Sequence, residues 1–178
     1  TDVYRMEPSG NHAYRLTDSP ARDEAPAWSP NGKLVAFQSF RDGNGEIYVM
    51  EASGLNQRNL TSHKALDGRP AWSPDGARIA FESDRDGNDE VYVMNADGTG
   101  VKNLTNRSGR DFSPAWSPDG QSIAFTTSRY GGLEVAVMDA NGSNVRRLTN
   151  NQAMSLRPAW SPDGRTIAFE SNVDGDLD

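Results

Sequence analysis

The tetrad Ala-Trp-Ser-Pro, preceded each time by proline, runs from Pro26, Pro70, Pro114 and Pro158, at a constant spacing of 44 residues. A chain with that period has to stack like units on one another, because one unit cannot bury its own apolar face. Short apolar runs separated by Gly, Asp, Asn and Pro fit a four-stranded unit, whereas helical repeats of this length need long stretches of 3.6-residue periodicity. The sequence contains no such stretch.

The unit that follows Pro70 shows how the repeat folds. Arg69 to Ser73 reads as a first strand, and Pro74-Asp75-Gly76 as the turn after it, with proline presetting φ and glycine supplying a positive φ. Arg78 to Ser83 is the second strand; Asp86-Gly87-Asn88 turns the chain into a third, Glu90 to Met94, the most apolar of the four. Asn95-Ala96-Asp97-Gly98 leads to a polar fourth strand, Val101 to Thr105, as expected for an outer edge. Strands two and three are apolar on both faces, so each sheet is sandwiched between neighbours, which makes the fold an all-β propeller.

Val3-Tyr4-Arg5-Met6 stands one period before Ile47-Tyr48-Val49-Met50, so the sequence starts in mid-blade. Residues 1–17 read as strands three and four of a split blade, residues 18–61, 62–105 and 106–149 as whole repeats, and 150–178 as strands one and two of the split blade. Any leader or further domain would lie outside this stretch. Joining the halves removes two open sheet edges, either within one chain as a four-bladed ring or between two chains as an eight-bladed one. The regular, short units favour the two-fold homodimer.

A net charge of −7, without a Lys/Arg stripe, argues against nucleic acid and against an anionic membrane surface. No apolar run is long enough for membrane insertion, and without cysteine there are neither disulfides nor thiolate metal sites.

The string from Pro70 to Gly98, with its Pro-Asp-Gly turn, Ile79-Ala80-Phe81 and Val91-Tyr92-Val93-Met94, resembles the WD-like Pro-Asp repeat of TolB-type β-propellers, and the resemblance covers essentially the whole chain. It implies a non-enzymatic protein-binding platform in the periplasm or another extracytoplasmic compartment. The repeats are also similar to those of the gating propellers of prolyl-oligopeptidase-type peptidases and of a metal-dependent sugar-acid lyase, which supplies the alternative reading.

Positions alike in all four units are those the fold requires: Trp28, Trp72, Trp116 and Trp160; Phe37, Phe81, Phe125 and Phe169; Met6, Met50, Met94 and Met138. All are expected between blades. Arg41, Arg85 and Arg129, each five residues before Glu46, Glu90 or Glu134, are expected to form ion pairs across the hairpin of strands two and three. The positions that differ lie in the connectors from strand four to strand one, which share one end of the propeller with the strand two-to-three turns. Loops carried on a rigid frame are where binding residues concentrate. The candidates for meeting a protein partner are Arg22 and Asp23 in the first connector, and His63 and Asp67 in the second. Arg110, Asp111 and Phe112 come from the third, and Met154, Leu156 and Arg157 from the fourth. Leu66 is a further apolar group a partner could cover.

Catalytic signals are weak. His12 and His63 are the two histidines, and no nucleophile elbow, His-Glu-x-x-His or phosphate-binding glycine loop is present, so no catalytic residue and no resident cofactor is assigned. Asp84-Arg85-Asp86-Gly87-Asn88 and Asp174-Gly175-Asp176-Leu177-Asp178 alternate oxygen ligands as calcium loops do, but the glycine and closing glutamate of an EF-hand are misplaced, and hairpin turns account for the same residues.

Overall fold

The structure, a computed structural model, describes residues 1–150 and 153–175. Asn151 and Gln152 of the fourth connector, and Asp176, Leu177 and Asp178 of the second acidic stretch, lie outside the described residues. Sixteen strands and no helix are present among the described residues. The N-terminal pair is β1 (Tyr4–Arg5) with β2 (Tyr14–Arg15). Blade one comprises β3 (Asp23–Trp28), β4 (Leu34–Ser39), β5 (Glu46–Glu51) and β6 (Arg58–Asn59). Blade two comprises β7 (Asp67–Trp72), β8 (Arg78–Ser83), β9 (Glu90–Asn95) and β10 (Lys102–Asn103). Blade three comprises β11 (Asp111–Trp116), β12 (Ser122–Thr127), β13 (Glu134–Asp139) and β14 (Arg146–Arg147), and β15 (Ser155–Trp160) pairs with β16 (Ile167–Ser171) at the C-terminal side.

Every blade is a simple antiparallel meander, so the turns set the register. Phe37 faces Tyr48, Phe81 faces Tyr92 and Phe125 faces Ala136. The core lies between blades. Ala36, Ile47, Val49 and Leu60 of blade one meet Trp72, Ile79, Phe81, Tyr92 and Met94 of blade two. Ala80, Val91, Val93 and Leu104 of blade two meet Trp116, Ile123, Phe125 and Met138 of blade three in the same way. Burying each phenylalanine contributes roughly 1.5–3 kcal/mol. The edge strands are shorter than the sequence suggests, Lys102–Asn103 rather than Val101 to Thr105. Thr105 leaves the ladder because its hydroxyl is used elsewhere: it accepts from the Val91 amide at 3.0 Å and donates to Glu90.

Inter-blade burial of the repeated aromatics holds only for the interior copies. Trp72 and Trp116 are 8% exposed but Trp28 is 50%; Phe37, Phe81 and Phe125 are fully buried but Phe169 is 41% exposed; Met6 is 69% exposed. Among the described residues β1–β2 and β15–β16 are separate two-stranded sheets, so the outer aromatics lack the blade that would cover them.

The first strands lie innermost. Each carries a bulge just before its Ala-Trp pair, between Glu24 and Ala27, Gly68 and Ala71, Phe112 and Ala115, and Leu156 and Ala159. At each bulge the residue before proline adopts a left-handed conformation: Ala25 at φ 51°, Arg69 at 48°, Ser113 at 53°, Arg157 at 48°. Such a conformation costs a non-glycine residue about 1–3 kcal/mol and persists only where surrounding structure enforces it. Its fourfold recurrence marks it as part of the architecture, and it turns these four residues toward one axial cavity of about 230 Å³ lined also by Pro26, Pro70, Pro114 and Pro158.

Candidate functional site

The connectors and the β4–β5 type turns do share one end of the molecule, and two buried clamps fix them there. In the first, an arginine just beyond the second strand folds back onto the aspartate that opens the first strand. Arg85 Nη2 donates to both Asp67 carboxylate oxygens at 3.0 Å, Arg41 Nη2 to Asp23 at 3.1 and 3.2 Å, and Arg129 Nε to Asp111 at 3.1 and 3.2 Å. In the second clamp, Glu46 accepts from Thr61, from the His63 amide at 2.9 Å and from Asn44 at 3.0 Å. Glu90 repeats this with Thr105, the Arg107 amide and Asn88. The expected Arg–Glu hairpin pairs are therefore corrected: the arginines hold aspartates of the first strand, and Glu46 and Glu90 hold the incoming connector. Glu134 pairs instead with Arg147 and Thr149.

Three candidate binding residues change role as a result. Asp23, Asp67 and Asp111 are completely buried beneath their arginines and cannot meet a partner. His63 is half-buried, its Nδ1 accepting from the Ala65 amide at 3.1 Å while its own carbonyl accepts from Asn44 at 2.8 Å, so it shapes the second connector. The outward-facing groups are Arg22, Leu66 and Arg110. The Arg22 guanidinium lies 4.2 Å from the Phe40 ring centroid and pairs with Glu24 at 3.0 Å; Arg110 lies 5.2 Å from the Phe112 centroid and pairs with Asp89 at 2.6 Å. An arginine held close to an aromatic ring and paired with a carboxylate presents a positioned cation at low entropic cost. Met154 and Leu156 are half-buried, the Met154 amide donating to Asn172 at 2.6 Å, and Arg157 is exposed in a two-pronged pair with Glu170 at 2.9 and 3.1 Å.

Nearer the axis, a polar ladder joins consecutive blades. The Ser113 amide donates to Glu82 Oε2 at 3.1 Å, the Arg157 amide to Thr126 at 3.0 Å, and Arg69 Nη1 reaches Ser113 Oγ at 2.9 Å and Glu82 at 3.4 Å. The bulge makes this possible by aiming the amide of one blade at a second-strand side chain of the blade before. Burial pushes the Glu82 carboxyl above its ordinary value, and the opposing pull of Arg69 and the Ser113 amide does not offset it. An acid whose folded pKa is raised binds its proton more tightly when folded, so ionised Glu82 costs stability once the pH rises past the unfolded glutamate value of about 4.3 and through the higher folded value. Glu82→Gln, the residue that stands one period earlier as Gln38, is accordingly expected to raise the melting temperature at pH 7, with the gain shrinking to nothing at pH 4. A gain independent of pH in calorimetry would refute the assignment.

The sequence criterion could have found this ladder. The positions before the prolines read Ala25, Arg69, Ser113 and Arg157, and those after the phenylalanines Gln38, Glu82, Thr126 and Glu170, as variable as the connectors but embedded in constant strands. In the first acidic loop the oxygens serve the fold: Asp84 accepts from the Leu66 amide at 2.8 Å, and Asp86 from Tyr92 and Asn103. Among the described residues no three His, Cys, Asp or Glu side chains gather as metal ligands do.

A family model described as the TolB beta propeller domain matches residues 3–110 and 99–177. The structure is similar to that of TolB from Acinetobacter baumannii, with 32% sequence identity and a TM-score of 0.87, covering 95% of this chain and 42% of that one. It is similar also to the putative TolB from Agrobacterium tumefaciens, at 25% identity and a TM-score of 0.75, covering 94% of this chain and 76% of that one. A puromycin-hydrolyzing peptidase from Mycobacterium tuberculosis shares the fold at 19% identity and a TM-score of 0.75, over 99% of this chain and 32% of that one. This chain thus spans less than half the length of the Acinetobacter protein. No curated protein matches the sequence.

Proposed function

We propose that this chain, which belongs to the TolB β-propeller domain family, is a non-enzymatic platform that binds a protein partner with its connector end in an extracytoplasmic compartment. One observation carries the reading: variable, outward-facing groups are mounted on a buried aspartate–arginine clamp that recurs in all three whole blades. Arg22 over Phe40 and Arg110 over Phe112 stand on connectors whose backbone is pinned by Asp23–Arg41, Asp111–Arg129 and Glu90. Arginine and aromatic groups held rigidly are the residues that dominate interface energetics. The peptidase-like and lyase-like alternatives have fold similarity in their favour and no reactive constellation among the described residues.

The test exploits the two ends of the propeller. Charge reversal of Arg22 and Arg110, with Phe112→Ser, is expected to abolish partner capture from a periplasmic extract while the melting temperature stays within a degree or two. Lys33→Glu with Arg165→Glu, on the opposite end, makes a matching charge change and is expected to leave capture intact. Equal loss with both variants would overturn the connector-end assignment.

The exposed Trp28, Met6 and Phe169 belong to the same proposal. Trp72 Nε1 donates to the Ala27 carbonyl of the preceding blade at 3.2 Å and Trp160 Nε1 to Ala115 at 3.2 Å, whereas the buried Trp116 Nε1 has no such partner. By the register of Trp72 and Trp160, Trp28 would donate to Ala159, and by that of Phe37 with Tyr48, Phe169 would face Tyr4. A second copy of the chain supplies both contacts and closes the ring.

A further inference from the structure

Blade three breaks a pattern that the two other whole blades obey. In blade one the Tyr48 hydroxyl donates to Asp42 at 2.5 Å, Asn59 donates to the same oxygen at 2.8 Å, and the Arg41 guanidinium covers the ring at 4.6 Å. Blade two has Tyr92, Asp86 and Asn103 in the same arrangement, with Arg85 4.7 Å from the ring. Burial and the aspartate push the Tyr48 phenol up to about 12, so the ring is a neutral donor. Blade three has Ala136 in place of the tyrosine, Tyr130 in place of the aspartate and Arg147 in place of the asparagine. Arg147 now lies 5.0 Å from the Tyr130 ring, and Arg129 lies over Phe125 alone, at 5.6 Å.

A groove of about 870 Å³ between blades two and three adjoins this place, and Leu104, Arg107, Arg129, Tyr130 and Val145 are among the residues lining it. Leu104, Arg129 and Tyr130 occupy the positions of Leu16, Arg41 and Asp42, and Leu16 shares a buried cluster with the Tyr48 ring. The groove therefore opens beside the residues against which the other blades seat their own tyrosine, with Ala136 itself buried behind them. Blade one closes the corresponding place further with Gln57, which bridges Arg41 at 2.8 Å and the Leu16 carbonyl at 3.1 Å, whereas blades two and three carry Val101 and Val145 there. Among the described residues no carboxylate lines the groove, and of its two arginines Arg129 is paired with the buried Asp111 behind it while Arg107 is exposed, in a chain of net charge −7. The aromatic group missing from the chain and the local positive charge together specify the occupant.

We propose that the groove between blades two and three receives an aromatic side chain flanked by acidic residues from a protein partner, the ring taking the place of the missing tyrosine against Arg129. This rests on the reading of the connector end as a protein-binding surface and names the partner's chemistry. The ring would gain the cation–π contact that Arg41 and Arg85 make within the chain, worth more where water is excluded. Neighbouring carboxylates would meet Arg107, an exposed group on the rim.

The probe is the pentapeptide Asp-Glu-Tyr-Glu-Asp, titrated into the ¹⁵N-labelled full chain, with Asp-Glu-Ala-Glu-Asp as the matched control. Amide shifts are expected at 104–108 and 142–145, and the alanine peptide is expected to bind about tenfold more weakly, a loss of about 1.4 kcal/mol. Ala136→Tyr with Tyr130→Asp rebuilds the arrangement of the other blades and is expected to remove binding while retaining the fold. Should that variant unfold, Val145→Gln closes the groove by the Gln57 bridge and is expected to weaken binding alike. Equal affinity of the two peptides, no shifts at millimolar peptide, or unchanged binding in the groove-filling variants would each overturn the proposal. Loss of partner capture on reversal of Arg22 and Arg110, alongside such a result, would leave the platform reading standing and remove only the groove.

Discussion

Phe125→Ala is expected to lower the unfolding free energy by about 3–5 kcal/mol, whereas Phe169→Ala, at the equivalent position one repeat later, costs only about 1–2 kcal/mol in a dilute sample. The difference comes from what covers each ring. Phe125 is fully buried between blades two and three with Trp116, Ile123 and Met138, so its removal costs the transfer term and leaves a void that rigid sheets cannot collapse. Phe169 stands 41% exposed along the open side of β16. If a second copy covers that side, the melting temperature rises with protein concentration by mass action, and the cost of Phe169→Ala climbs toward that of Phe125→Ala. Native mass spectrometry then shows a species at twice 19.4 kDa. A well-folded monomer with a concentration-independent transition would exclude the second copy and leave the Phe125 prediction untouched.

The parts of this molecule that could be read from the sequence are those that one repeat must share with the next. Trp72, Phe81 and Met94 recur because every inter-blade space has the same shape, and Pro74-Asp75-Gly76 recurs because the turn between strands one and two needs the same φ each time. What could not be read is where a side chain goes after leaving its strand. Arg85 and Glu90 stand five residues apart across a hairpin, which made their pairing plausible, yet Arg85 turns back to Asp67, 18 residues away, and Glu90 faces the connector from the other side. The left-handed residue before each proline was hidden for a different reason. Ala25, Arg69, Ser113 and Arg157 carry no glycine signal, and it is the closure of neighbouring strands that enforces their conformation. Of the charged residues singled out in the connectors, Asp23, Asp67 and Asp111 are accordingly buried anchors mistaken for contact groups.

Asp67→Ala tests that distinction. The carboxylate is wholly buried, accepts two bonds from Arg85 at 3.0 Å, and anchors the start of β7, whose Asp67 amide donates to Gly45 at 2.7 Å. Removing it leaves a guanidinium, itself only 15% exposed, with Ser83 Oγ at 2.9 Å and the Tyr92 face but no counter-charge. Breaking such a pair from one side costs about 3–5 kcal/mol, far more than the pair contributes relative to apolar replacements of both partners. Asp67→Leu combined with Arg85→Met is therefore expected to be more stable than Asp67→Ala alone, since no charge is stranded. Glu24→Ala, which breaks the exposed pair with Arg22, is expected to cost under about 1 kcal/mol. High salt should diminish that small cost and leave the cost of Asp67→Ala nearly unchanged, because a buried pair is poorly screened. Chemical denaturation of the four proteins at low and high salt decides the matter. If Asp67→Ala were as mild and as salt-sensitive as Glu24→Ala, the aspartate would be a surface group after all, open to a partner, and the division between buried anchors and presented arginines would fail.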